Sequence, residues 1–258
     1  MPKLWQISYL LSDRRRLLSR VHAELWRIGY FLRTGYYSAG ERVIPAFPDA
    51  NFQAHLKVYQ FMRQFAVGKD VLDVGCGTGY GTAHLAEVAK SIVGIDYSAS
   101  ALKWARKHYP KVDFRQMDAV HPELPSRSFD LIVSNENFEH LPDQKTHTQE
   151  LARLLRPNGM CFIATPNPEI FPGNHNRYHF KENTLAELRE LFAPCFADIA
   201  ILENTMEPFT AEGREMKAAR VARGETGLKS LPFACDETDL DNAASFFCFL
   251  RTPFAEQR

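Results

Sequence analysis

A strand-like segment that runs directly into a glycine-rich turn constrains this chain more than any other feature. Val71–Val74 is apolar apart from Asp73, and a helical pattern begins soon after it. Between the two, glycine occupies every second position: Gly75, Gly77, Gly79 and Gly81. Glycine permits sharp turns and close approach of another group, and the first amides of a helix favour an anion. We therefore predict a strand–turn–helix unit with a binding site at the carboxyl end of its strand.

Short β-rich segments alternate with helical patterns along the chain. The predicted strands are 71–74, 91–95, 112–117, 129–133, 160–164, 197–201 and 244–250, and the helical patterns are at about 51–65, 80–89, 98–108, 143–155, 183–192 and 211–222. Thr184 and Glu187 form a capping-box pattern, and a turn at 156–159 separates a helix from the fifth strand. The alternation predicts an α/β fold: a doubly wound, mostly parallel seven-stranded sheet with helices on both faces and an antiparallel final strand.

The composition excludes several classes of function. The 258 residues include 31 basic and 31 acidic side chains, so no net field draws the chain to nucleic acid, and a small-molecule substrate is favoured. The five cysteines form no Cys-x-x-Cys pair, which argues against a zinc site or a disulfide framework. No apolar run approaches the roughly 20 residues of a transmembrane segment. We expect a cytoplasmic protein that is a monomer or a homodimer.

Residues 1 to about 33 form a basic arm, with seven Lys or Arg against two acidic residues. Apolar residues recur there at spacings of three and four: Leu17, Leu18, Val21, Leu25, Ile28 and Leu32. This spacing predicts an amphipathic helix whose apolar stripe must be buried. The stripe packs on its own domain or a dimer partner, or it makes peripheral contact with an anionic membrane surface. The sequence leaves these alternatives open.

Two common glycine-loop templates fail on this sequence. In a dinucleotide-binding Gly-x-Gly-x-x-Gly pattern, the last glycine position would be occupied by Tyr80 or Thr82. A P-loop ends in Gly-Lys-Ser or Gly-Lys-Thr, but the first lysine after the glycines is Lys90. The remaining pattern, Asp-x-Gly-x-Gly-x-Gly from Asp73, closely resembles the first motif of the class I S-adenosylmethionine-dependent methyltransferases. Further elements follow in the order of that family: Asp96 after the second strand, Asp118 after the third, then Ser128–Val133 and Leu154–Gly159.

The resemblance covers about residues 50 to 201 and implies a Rossmann-like fold with S-adenosylmethionine as the cofactor. We expect residues 1–50 to form a basic amphipathic helix with a cap or lid segment, and residues 51–258 to form the methyltransferase domain. Within that domain the cofactor half is about 66–164, and about 165–258 supplies the acceptor-side loops and closing strands. The implied cofactor-binding residues are Asp73, Gly75, Cys76, Gly77, Gly79, Asp96, Tyr97, Asp118, Ala119 and Asn135.

His140 and Glu139 follow the fourth strand and are the candidate catalytic residues. His140 could take a proton from an acceptor hydroxyl, or it could instead shape the pocket floor. Together with Glu136 they match the Glu-x-x-Glu-His pattern of the ubiquinone-biosynthesis O-methyltransferases, in which such a cluster could hold a divalent ion against a catechol. The pattern is short and no fourth ligand is identifiable, so we predict no metal site.

The segment after the fifth strand resembles bacterial methyltransferases that modify glycans and related small molecules. The candidate substrate-binding residues are Glu41, Arg42, His175, Arg177, Tyr178 and His179. The leading hypothesis is therefore O-methylation of a sugar, glycan or other small metabolite. The alternatives are a ubiquinone-type aromatic O-methyltransferase and a non-catalytic binding protein that retains the cofactor fold.

Overall fold

The computed structural model describes the chain at Pro45 and over residues 50–168, 178–203 and 245–253. These residues belong to one unit, Val43–Arg258. The predicted N-terminal helix, the helical section at 211–222 and four candidate substrate-binding residues lie outside the described residues. Those four are Glu41, Arg42, His175 and Arg177.

Five α-helices and seven strands make up the described part of the chain. The helices are α1 Ala50–Ala66, α2 Tyr80–Ala86, α3 Ala99–His108, α4 Gln144–Leu154 and α5 Leu185–Phe192, and a 3-10 turn covers Phe138–His140. The strands are β1 Asp70–Val74, β2 Ser91–Asp96, β3 Asp113–Gln116, β4 Phe129–Asn135, β5 Leu155–Pro166, β6 Phe196–Glu203 and β7 Ser245–Pro253. The predicted capping box closes the start of α5, where Thr184 and Glu187 each bond the other's backbone.

The seven strands form one sheet in the order β3-β2-β1-β4-β5-β7-β6. Strands β1 to β5 pair in parallel, and β7 runs antiparallel to both of its neighbours, β5 and β6. The predicted fold class is thereby confirmed, including the antiparallel last strand. Because β1, β2 and β4 are parallel neighbours, the residues that follow them meet at one edge of the sheet.

Helices cover both faces of the sheet. Alternate strand residues point to opposite faces, and neighbouring residues such as Val71 and Leu72 accordingly belong to different buried clusters. The Val71 cluster includes residues of α1 and α2, whereas the Leu72 cluster includes residues of α4 and α5. The sheet is therefore buried on both sides, as a largely parallel sheet requires.

Strand β5 begins five residues earlier than the sequence indicates. Its pairing with β4 jumps from Phe129–Leu155 to Leu131–Met160, so the expected turn at 156–159 becomes a bulge within the strand. Asn158 adopts a φ of 67°, a left-handed conformation that asparagine tolerates better than most residues. The turn residues were recognised correctly, but their incorporation into the strand was not predicted.

The described helices include none that is both long enough and apolar enough to cross a lipid bilayer.

Candidate active site

The loop after β1 turns sharply through three glycines in left-handed conformations. The φ angles of Gly75, Gly77 and Gly79 are 73°, 54° and 77°. A Cβ atom would lie 2.3 Å from the Asn137 side chain at Gly75 and 2.5 Å from the Phe114 ring at Gly79. At Gly77, no atom of the described chain would come within 4 Å of it. The loop thus packs tightly at two glycines and faces open space at the third, where a ligand can approach the backbone.

Asp96 ends β2 beside this loop. Its Oδ2 accepts a hydrogen bond of 2.9 Å from the Gly77 amide, and its Oδ1 accepts one of 2.8 Å from the Ser98 amide. The side chain is largely buried, so the two bonds hold the carboxylate in a defined orientation at the sheet edge. A carboxylate has about four acceptor positions and can also receive hydroxyl donors of a ligand.

Asp73 lies beneath the loop and is fully buried. Its two oxygens accept hydrogen bonds from the Tyr59 hydroxyl at 3.1 Å and the Thr82 hydroxyl at 2.5 Å. Burial raises the pKa of Asp73 to about 7, although both hydrogen bonds act in the opposite direction. Through these hydrogen bonds, Asp73 helps to hold the loop in its conformation from beneath.

The segment after β3 is held in place by a residue that the sequence analysis missed. Asp118 is exposed and accepts a 2.8 Å hydrogen bond from the Val120 amide. The carbonyl of Ala119 accepts a 2.7 Å bond from Nδ1 of His147, a fully buried residue of α4. Burial lowers the pKa of His147 to about 4, so this histidine is neutral near pH 7. No local pattern distinguishes His147 from a surface histidine of α4.

Three more of the predicted cofactor residues lie near this edge. Asn135 ends β4, is buried, and its Oδ1 has no hydrogen-bond partner among the described residues. Tyr97, directly after Asp96, is 74% exposed. Cys76 lies within the loop with its side chain buried, and burial raises the pKa of its thiol well above the usual value. Cys76 is therefore suited to packing rather than to nucleophilic chemistry.

Glu139, His140 and His179 come together next to the glycine loop. One potential ligand atom from each lies within 4.8 Å of the other two. Nε2 of His140 is 3.7 Å from Oε1 of Glu139, and the two imidazole rings meet edge to face with centroids 4.8 Å apart. The 3-10 turn that carries Glu139 and His140 follows Asn137, whose side chain packs against Gly75. The sequence proposed Glu139 and His140 as a pair and assigned His179 separately to the substrate.

Hydrogen bonds fix each member of this cluster. Nδ1 of His140 donates to the Tyr178 carbonyl at 3.1 Å, and Nδ1 of His179 lies 2.5 Å from Oε1 of Glu182. Thr165 donates its hydroxyl proton to Oε2 of Glu139 at 3.1 Å. Glu139 is almost fully buried, and burial, with the nearby Glu136 carboxylate, raises its pKa well above the usual value.

Glu136, the first residue of the predicted Glu-x-x-Glu-His pattern, turns to a different partner. Its Oε1 accepts a 2.6 Å hydrogen bond from the Ser245 hydroxyl on β7. Its backbone has a φ of 49°, a left-handed conformation that is uncommon for glutamate and that re-aims the chain after β4. The sequence analysis missed Thr165 and Glu182, of which only Glu182 had a signal, its spacing of three residues from His179.

Comparisons with known proteins identify the family. A family model described as a methyltransferase domain matches residues 72–163. A Mycolicibacterium smegmatis protein named a probable S-adenosylmethionine-dependent methyltransferase is 37% identical over 180 residues, which are 67% of this chain and 69% of that protein. A ubiquinone biosynthesis O-methyltransferase of Nitrosospira multiformis is 38% identical over 106 residues, 39% of this chain and 44% of its own length.

A solved structure agrees with this assignment at the level of the fold. The S-adenosylmethionine-dependent methyltransferase of Mesorhizobium loti superposes with a TM-score of 0.55 at 21% identity, covering 79% of this chain and all of that one. The sequence relatives bear names of methyl-transferring enzymes, which argues against a non-catalytic binding protein. The chain therefore belongs to the S-adenosylmethionine-dependent methyltransferases and is an enzyme that uses this cofactor.

Proposed function

We propose that this methyltransferase transfers a methyl group to a hydroxyl of a sugar, a glycan or another small metabolite. The observation that carries the proposal is the cluster of Glu139, His140 and His179 beside the glycine loop. A hydroxyl must lose its proton as it is methylated, and imidazole and carboxylate groups are suited to that transfer. Their position at the same sheet edge as the loop favours a hydroxyl acceptor.

The residues present fit the cofactor. The open space at Gly77 suits close approach of the ligand to the backbone, and the oriented Asp96 carboxylate suits the two hydroxyls of its ribose. We assign Asp118 and Ala119 to the adenine from the family resemblance, and the buried Asn135 Oδ1 offers an acceptor at the end of β4. When bound, S-adenosylmethionine supplies an electrophilic methyl group, and the protein contributes mainly alignment and exclusion of water.

Two exposed aromatic residues beside His179 support a ring-shaped acceptor. Tyr178 is 42% exposed and Phe180 is 70% exposed, and the amide of Phe180 donates to the Glu139 carbonyl at 2.9 Å. This bond attaches the aromatic segment directly to the cluster. An aromatic face can pack on a sugar or an aromatic ring while a hydroxyl of that ring faces the imidazoles.

A second candidate is methylation of an aromatic hydroxyl, as the names of the ubiquinone-biosynthesis relatives suggest. That match covers 39% of this chain, and Glu136, the first residue of the Glu-x-x-Glu-His pattern, accepts a hydrogen bond from Ser245. The two candidates predict different acceptors. Incubation with a labelled methyl donor and separate pools of glycans, glycosides and catechols distinguishes them, and labelling confined to the catechols contradicts the first candidate.

Cofactor binding is tested by titration calorimetry of the intact chain. We expect Asp96→Ala to weaken S-adenosylmethionine binding about 10- to 150-fold, the cost of losing hydrogen bonds to a charged group. Asp113→Ala is a matched control because Asp113 is an exposed residue of β3 paired with Arg115. Equal affinities of Asp96→Ala and wild type would show that Asp96 does not hold the cofactor.

A further inference from the structure

We propose that Glu139, His140 and His179 form a binding site for one divalent transition-metal ion, of the class that includes Zn²⁺, Mn²⁺ and Co²⁺. The site itself is argued from the geometry of these three side chains. Its role, binding the oxygen of the acceptor, rests on the proposed function.

The first argument is the convergence of three metal-ligating groups. Their ligand atoms lie within 4.8 Å of one another, and one imidazole–carboxylate pair is already 3.7 Å apart. Ligand atoms about 2.1 Å from a common ion lie roughly 3 to 3.5 Å apart, so small side-chain adjustments bring the set to coordination distance. A general base needs a single histidine, whereas a metal site uses both imidazoles and the carboxylate.

The second argument is the set of hydrogen bonds behind the ligands. Nδ1 of His140 bonds the Tyr178 carbonyl while its Nε2 lies 3.7 Å from Glu139, and Nδ1 of His179 contacts Glu182. A neutral imidazole that carries its proton on Nδ1 has its lone pair on Nε2, which in His140 is the nitrogen nearest to Glu139. Metal-binding histidines commonly have such a carbonyl or carboxylate partner, which fixes the ring and its tautomer.

The third argument is charge. Glu139 is almost fully buried, and buried carboxylates are generally paired with a positive charge or bound to a metal ion. An ion between Glu139 and the two imidazoles provides that charge. Nitrogen ligands favour Zn²⁺ and related ions, whereas Mg²⁺ and Ca²⁺ prefer sites made entirely of oxygen. The ligand set differs from the Glu-x-x-Glu-His pattern because His179 takes the place of Glu136.

Three protein ligands leave a coordination position for an oxygen of the acceptor. A hydroxyl bound there loses its proton to water more readily, because the ion stabilises the resulting alkoxide. The alkoxide oxygen then forms its bond to the methyl carbon as the bond from that carbon to the sulfonium sulfur breaks. The ion is neither oxidised nor reduced.

The test measures metal binding directly, without cofactor or acceptor. The full chain is stripped with a chelator and titrated with Co²⁺, followed by visible absorption, and with Zn²⁺ in competition. We expect one ion per chain. His179→Ala should weaken binding at least about 100-fold and Glu182→Gln about 10- to 100-fold, as found for residues that support metal ligands. His121→Ala is the control, because His121 is an exposed histidine outside the cluster.

Two results would overturn the proposal: a wild-type chain that binds no stoichiometric ion, or a His179→Ala variant with wild-type affinity. Glu139→Gln provides a second ligand variant that retains the side-chain shape and the contact with Thr165. Retained S-adenosylmethionine binding shows that each variant is folded. Because the metal-free chain can be tested for cofactor binding and for methyl transfer separately, failure of the metal site is distinguishable from failure of the proposed function.

Discussion

The three left-handed glycines of the loop after β1 have different surroundings although their backbone conformations are alike. Gly75 and Gly79 lie against the side chains of Asn137 and Phe114, so both are required by packing within the protein. A Cβ at Gly77 would contact no described atom, so packing among the described residues does not require this glycine, and we propose that it serves the ligand. We therefore expect substitution of Gly79 mainly to lower stability and substitution of Gly77 mainly to lower cofactor affinity.

Alanine substitutions test this separation. Gly79→Ala places a methyl group 2.5 Å from the Phe114 ring, so we expect a loss of about 1–3 kcal/mol in the free energy of unfolding, in addition to the cost of its left-handed φ. Gly77→Ala incurs only the conformational cost of about 1–2 kcal/mol but should weaken cofactor binding at least tenfold. Urea unfolding without cofactor and calorimetry with it provide the two measurements. Normal cofactor affinity of Gly77→Ala would show that the ligand does not approach the loop there.

At the level of secondary structure elements, Asp73 connects three of them. It lies on β1 and accepts hydrogen bonds from Tyr59 of α1 and Thr82 of α2. The strand and the helices on that face are thus joined by one buried carboxyl group directly beneath the loop. Whether this carboxyl group is protonated or ionised therefore affects the stability of the packing between β1, α1 and α2.

The raised pKa of Asp73 makes this stability depend on pH. The carboxyl group has a pKa of about 7 in the folded chain and an ordinary value of 3.8. Between these values the unfolded chain gives up a proton that the folded chain keeps, so the stabilising contribution, complete below pH 3.8, is lost as pH rises through 7. Asp73→Asn lacks this titration. As the pH rises through this range, we expect the free energy of unfolding of the variant to increase relative to that of wild type by up to about 4 kcal/mol.

Denaturant unfolding of wild type and Asp73→Asn at half-unit intervals from pH 4 to pH 8 measures this difference. Other titrating groups are common to both proteins and cancel in the comparison. Parallel curves over the whole range would contradict a raised pKa of Asp73.

Within the described part of the molecule, local patterns predicted the strands, the helices and the loop, because each depends on residues close in sequence. The position of β7 between β5 and β6 depends on non-local pairing, which no local pattern encodes. For the same reason the sequence identified Glu139 and His140 but did not join them to His179, a residue about 40 positions away. The support that His147 gives to Ala119 likewise depends on how α4 packs.

The edge of the sheet formed by the amino ends of the strands has a network of ion pairs that is remote from the candidate active site. Arg156 on β5 contacts Asp70 on β1 at 2.7 Å and Asp130 on β4 at 2.9 Å, all near the amino ends of their strands. Hydrogen bonds from Ser91, Arg156 and Lys90 hold the pKa of Asp70 well below its usual range. The five residues of β1 separate this network from the glycine loop by about 15 Å.

Arg156→Met should therefore lower stability without changing cofactor affinity. Solvent screens the partly exposed guanidinium, so we expect only a small decrease in the melting temperature near pH 7. Lys90→Met is a matched control, because Lys90 also contacts Asp70 but is 68% exposed and should contribute less. Thermal unfolding and calorimetry on the same preparations give both quantities. Weaker cofactor binding by Arg156→Met would contradict this expectation. It would mean that the network at the amino ends of the strands is energetically coupled to the cofactor site at their carboxyl ends.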